Sequence, residues 1–332
     1  MRVLITAPFT ESGLKELKDA GLEVDHHSWL ETGKLHMGES LLQTIKDGAY
    51  DIVIVEGDEI KEEIIKQTEL KLIGSVRGSP NNISLQAASA QNIPVIAVPG
   101  RNTIAVAEHT IALMLAQARN IVAAERFLKN DFFVDDFKDF GNMYTSLMGF
   151  ELSGRTVGII GLGQIGFEVA KRLQSFGVEI LVMDPYADSS KVKEVSGKLV
   201  EIDELLKSSD IITIHCPSTD ETRGMLGANE FEQMKKTAIL INTARASVID
   251  EYALLDALKR GTIAGAGLDV FSMEPVDCDN VFLELDNVTV MPHMGGNTKE
   301  TVQRQSDSIV AGILAFLKGE KPMNILNPEV LD

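Results

Sequence analysis

Short runs of apolar, mostly β-branched residues alternate with longer amphipathic segments from the first residue onward. RVLIT (2–6), DIVIV (51–55), KLIGSV (71–76) and PVIAV (94–98) lack a polar alternation and predict strands buried on both faces. Between them, GLKELKDAG (13–21) and EEIIKQTEL (62–70) carry helical spacing. From Asn102 to Asn130 the chain has no Pro or Gly and is rich in Ala, Leu and Ile, which predicts one long helix with more apolar surface than one core face needs. The Phe- and Asp-rich stretch NDFFVDDFKDFGNMY (130–144) reads as a surface loop. The alternation then restarts, with TVGIIGLG (156–163), VEILVMD (178–184), IITIHCP (211–217), AILINTA (238–244), IAGAGLDV (263–270) and VTVMPH (288–293) as strands. A last helical pattern, TVQRQSDSIVAGILAFLKG (301–319), closes it. The expected class is α/β, built on parallel sheets covered by helices on both faces.

One strand–turn–helix unit carries chemistry. TVGIIGLGQIG runs from a buried strand into Gly161, Gly163 and Gly166, and Asp184 ends the following strand. The first glycine permits the tight turn, the second lets backbone approach a pyrophosphate, and the third allows close helix–strand packing. A plain βα turn can also hold glycines. With the acid in register, the pattern points to a dinucleotide, and Asp184 favours NAD because it accepts ribose hydroxyls and repels a 2′-phosphate.

Downstream, three strand ends carry polar groups: Arg245 in LINTARAS, Asp269 and Glu274 in GLDVFSMEP, and His293 in VMPHMGG. Singly these are a surface charge, loop acids and a strand exit. Jointly they hold an acid–base imidazole, a carboxylate to orient it and an arginine able to grip a carboxylate. His26, His27 and His36 lack metal-ligand spacing and read as polar surface, so no metal is expected. His215 reads as a packing or supporting residue of the cofactor face, and His109 as structural.

These stretches resemble the D-isomer-specific 2-hydroxyacid dehydrogenase family, which includes 3-phosphoglycerate, D-lactate and glycerate/hydroxypyruvate enzymes. The resemblance rests on GLGQIG with DPYA, HCPSTDETRGML, LINTARASVIDEYAL, GLDVFSMEP, PHMGG and GRNTIAVAEHTIALMLA, and it spans almost the whole chain. It implies a Rossmann NAD-binding domain (102–297) inserted into a discontinuous, flavodoxin-like substrate domain (1–101 with 298–332). It implies that Arg245 binds the substrate carboxylate and that Glu274 pairs with His293, the acid–base. Asp269 would hold the nicotinamide amide. Gln164, Ile165, Asp184, Cys216, Pro217, Thr243, Ala244 and Gly295 would line the rest of the cofactor site with the glycines.

The family's glycine-rich loop, whose backbone amides meet the substrate carboxylate, matches VRGSPNNIS (76–84), with Gly78 and Ser79 as substrate contacts and Arg77 either a further cation for the substrate or a solvated strand-end charge. This stretch departs from the glycine-rich pattern at Pro80, which has no N–H to donate. At this length no appended C-terminal regulatory domain is expected. Two other readings fit parts of the pattern: a non-enzymatic NAD-sensing protein on the same fold, and an NAD enzyme of the formate dehydrogenase type.

Composition narrows the partners. Thirty-one basic and 49 acidic residues give a net charge of -18, which argues against nucleic acid or an anionic membrane as a bulk partner. No apolar run approaches the ~18 residues of a membrane span. The opening MRVLITAPFTESG reads as a first strand and turn rather than a leader. Two cysteines without paired spacing suggest reduced thiols and the cytoplasm. The apolar surplus of the 102–130 helix predicts a homodimer.

Overall fold

A strand that is apolar on both sides is stable only when both faces of its sheet are covered. In the computed structural model, which describes residues 1–129 and 134–331, the apolar runs meet this condition in two separate all-parallel sheets. The chain divides into two compact units, Met1–Arg101 with Asn297–Asp332, and Asn102–Gly296.

In the first unit, β1 (Arg2–Ile5), β2 (Glu23–His26), β3 (Ile52–Val55), β4 (Leu72–Ser75) and β5 (Val95–Ile96) lie in the order β2-β1-β3-β4-β5, the flavodoxin-like arrangement. Successive residues serve opposite cores. Val3, Ile5, Ile52 and Ile54 face one, while Leu4, Val53 and Val55 face the other. The helix Lys299–Leu317 returns Ile309, Val310 and Ile313 to the first core. Residues 324–326 then run along β5, with Ala97 N–H donating to Asn324 O and Leu326 N–H to Val95 O.

In the second unit, β6 (Thr156–Ile160), β7 (Glu179–Met183), β8 (Lys198–Leu199), β9 (Ile211–Ile214), β10 (Ile239–Asn242), β11 (Gly265–Leu268) and β12 (Val288–Val290) lie in the order β12-β11-β10-β9-β6-β7-β8. Counted from β6 this is the doubly wound 3-2-1-4-5-6 order with one strand added, and the order reverses between β6 and β9. Ile211, Ile239 and Ile241 pack on one face, and Ile212, Ile214 and Leu240 on the other.

Two expectations are corrected here. The single helix of 102–130 is two helices, Thr103–Ala118 and Ile121–Lys129, and Asn130 lies outside the described residues. The break falls at Asn120, whose φ is +50°; its side-chain amide donates to the Leu147 and Met148 carbonyls and holds the bend. Asparagine tolerates this left-handed conformation better than most residues. The stretch read as a loop contains the helix Phe137–Ser146, started by Asp136, whose carboxylate accepts the Lys138 and Asp139 amides. Residues 130–133 of that stretch lie outside the described residues.

Candidate active site

The glycine turn joins β6 to the helix Gln164–Gln174. Gly161 has φ +92°, and a Cβ there would stand 2.7 Å from the Cys216 nitrogen, so both conformation and space demand glycine. At Gly166 a Cβ would meet Gly161 O at 2.1 Å, which is the close helix–strand approach. Gly163 differs: nothing lies within 4 Å of its Cβ position, so its backbone borders open space at the helix N-terminus. The first-turn amides there, including those of Gln164 and Ile165, lack partners within the helix and suit a pyrophosphate.

Asp184 closes the turn from β7. Its Oδ2 accepts Leu162 N–H at 2.7 Å and its Oδ1 accepts Tyr186 N–H at 2.8 Å. A carboxylate has about four acceptor positions, so capacity remains for ribose hydroxyls. Cys216 and Pro217 follow β9 beside this turn, and burial, then the Asp184 charge, pushes the Cys216 thiol upward. His215 is held neutral: burial lowers its pKa to about 3, and its Nε2 lies 2.9 Å from Thr213 Oγ1. These residues fit a bound dinucleotide.

At the carboxyl ends of β10, β11 and β12 the structure brings three groups together. Glu274 Oε2 accepts from His293 Nδ1 at 2.7 Å, while Glu274 Oε1 accepts Phe271 N–H at 3.0 Å. The carboxylate is thus fixed from both sides, and the imidazole keeps Nε2 for other work. Arg245, exposed, donates to the Ala244 carbonyl at 2.6 Å. Arg245, Ser247, Phe271, Ser272, Glu274 and His293 line one cleft of ≈ 300 Å³. Such a cleft can transfer a proton and grip a small carboxylate.

Asp269 is 1% exposed and accepts Met294 N–H at 2.7 Å and Gly295 N–H at 2.8 Å. Thr243, nearly buried, shares a 2.8 Å hydroxyl contact with Thr110. In the first unit, Arg77, Gly78 and Ser79 follow β4. Arg77 donates to Asn81 Oδ1 at 3.1 Å, and a Cβ on Gly78 would stand 3.0 Å from Pro99 Cα.

Sequence reasoning passed over Asn242 and Phe271. Asn242 Oδ1 accepts Ala244 N–H and its amide donates to Arg245 O, so it brackets the turn that carries the arginine. A polar residue ending the apolar run AILIN was the available signal. The Phe271 contribution comes from backbone and leaves no mark in side-chain identity.

The family model for the NAD binding domain of D-isomer specific 2-hydroxyacid dehydrogenases matches residues 111–295. A D-3-phosphoglycerate dehydrogenase of Archaeoglobus fulgidus is 39% identical over 98% of this chain, which spans 59% of that relative's length. A glyoxylate reductase of Korarchaeum cryptofilum is 34% identical over 99% of this chain and 97% of its own. The crystal structure of the TT0316 protein from Thermus thermophilus superposes with a TM-score of 0.85 at 32% identity, covering 98% of this chain and 100% of that one. With the doubly wound sheet, the glycine turn and a matching model over most of the second unit, the chain belongs to the D-isomer specific 2-hydroxyacid dehydrogenase family.

Proposed function

We propose that this chain is an NAD-dependent D-2-hydroxyacid dehydrogenase. The reaction is 2-oxo acid + NADH + H⁺ ⇌ 2-hydroxy acid + NAD⁺. The observation that carries the reading is the 2.7 Å contact between His293 and Glu274 in the cleft that Arg245 also lines. Bound at the glycine turn, NAD supplies or accepts the hydride at its nicotinamide ring. His293 uses Nε2 on the substrate oxygen, giving a proton in reduction and taking one in oxidation. Glu274 keeps Nδ1–H donating, which fixes the working tautomer. Arg245 trades the Ala244 carbonyl for the substrate carboxylate, a bidentate match.

The first unit serves as the substrate domain, with Arg77, Gly78 and Ser79 as contacts. The substrate is a small 2-hydroxy or 2-oxo acid of the 3-phosphoglycerate or hydroxypyruvate type. The family relatives, acting by name on 3-phosphoglycerate and glyoxylate, bracket that class. The protein works as a homodimer. Helices Ile121–Lys129 and Phe137–Ser146 have no buried residue among those described and expose Ile121, Leu128, Phe137, Phe140 and Tyr144, with Met148 exposed just after them. Free thiols at Cys216 and Cys278 accord with the cytoplasm.

The test is NADH consumption across glyoxylate, hydroxypyruvate, phosphohydroxypyruvate and larger sugar acids. One or more should turn over, and His293→Ala should lose most turnover in both directions while still binding NADH. NADH binding without turnover of any substrate would replace the enzyme with an NAD-sensing protein.

A further inference from the structure

We infer that His109 is a positioning residue for the turn that presents His293, acting through Asp269. The inference rests on the dehydrogenase reading for its catalytic consequence and on geometry alone for its structural one. His293 has φ +56°, a left-handed conformation that a non-glycine residue holds only when its surroundings impose it. The next two residues supply that constraint. The Met294 and Gly295 amides both end on the buried carboxylate of Asp269. The placement of the imidazole therefore depends on where that carboxylate stands.

On its other side stands His109, on the helix Thr103–Ala118. His109 Nε2 is 3.3 Å from Asp269 Oδ1, is buried, and completes no hydrogen bond among the described residues. Its Cδ2 lies 3.5 Å from the Cβ position of Gly295, so the ring also backs the turn directly. A buried N–H left without a partner is costly, whereas one directed at a carboxylate forms a charge-assisted bond. The nitrogen is already within hydrogen-bond distance of Oδ1, so turning its N–H toward the carboxylate completes that bond. His109 then fixes Asp269, and Asp269 fixes the turn.

Two variants separate this from packing. Glutamine places an N–H donor near the position of Nε2, whereas His109→Leu keeps bulk and removes the donor. Hydrogen exchange of a peptide covering 289–297, without cofactor, should be at least tenfold faster in His109→Leu and near the parent rate in His109→Gln. With NADH and an accepted oxo acid, His109→Leu should lose about tenfold in kcat with KM for the acid little changed, and His109→Gln should recover it. Thermal unfolding of both variants checks that they fold. Equal exchange in all three proteins, or equal loss in both variants, overturns the inference. A parent inactive on every substrate, with the exchange difference intact, would remove the dehydrogenase reading and leave the positioning role standing.

Discussion

Replacing Glu274 with glutamine isolates what the charge on this side chain does. The carboxylate serves two donors at once, Phe271 N–H at 3.0 Å and His293 Nδ1 at 2.7 Å. An amide of the same shape has one oxygen. If that oxygen stays with the Phe271 amide, the NH₂ faces Nδ1 and forces His293 to accept there. The proton then sits on Nε2, the nitrogen that must be bare to take the hydroxyl proton in oxidation. A hydrogen bond to a charged group contributes about 1.5–3 kcal/mol. The His293 side chain is 50% exposed, so the lower end, about 1.5 kcal/mol, applies. That corresponds to about tenfold in kcat/KM for reduction. Oxidation at the same pH should fall by the same factor, because with cofactor binding unchanged a variant cannot alter the equilibrium constant that links the two directions. Steady-state assays in both directions, with NADH binding by fluorescence as the control, measure the two losses. A variant within about threefold of the parent in both directions would refute the argument.

Acid stability should be governed in part by His215. Its folded pKa of about 3 lies below the ordinary value of 6.5, so the unfolded chain takes up the proton first. The stability is present above 6.5 and is lost as pH falls toward 3. Between pH 7.5 and pH 5 the parent should lose about 2 kcal/mol that His215→Gln does not. Urea unfolding of the two proteins at both pH values reads the difference, and parallel losses would put His215 outside the acid response. Asp184→Ser removes the acceptor of Leu162 N–H and the charge facing a 2′-phosphate. It should weaken NADH binding and shift the NADPH/NADH ratio of kcat/KM by about tenfold or more toward NADPH; a parent already preferring NADPH would end that assignment. Arg77→Ala should raise KM for phosphorylated or dicarboxylate substrates by about tenfold and for glyoxylate far less, as expected for loss of a charge-assisted contact. An equal effect on both would return Arg77 to a surface role.

The central strands were legible because they are buried on both faces, and that requirement writes itself as unbroken apolar runs such as IVIV and AILIN. The edges were not. β2 (EVDH) and β8 (KL) are half-buried or exposed, so no apolar run betrays them. Gly161 and Gly166 announced the cofactor turn because each answers a backbone or contact requirement that no other residue meets, whereas the Gly163 Cβ position borders open space. The surplus of apolar residues after Asn102 was also visible, but its disposition was not. The first helix of that stretch buries Ala107, Ile111, Leu113 and Met114 within its own unit and exposes Ile104, while Ile121, Leu128, Phe137, Phe140 and Tyr144 are exposed on the two helices after the Asn120 bend. Sequence named Arg245, Glu274 and His293 by chemical type and strand-end position. Only the folded chain decided that Glu274 divides its oxygens between His293 and a backbone amide, and that Asp269 holds the two amides after His293. Those contacts join residues from separate strand ends, and many use backbone groups, which every residue carries alike and which therefore leave no trace in the order of side chains.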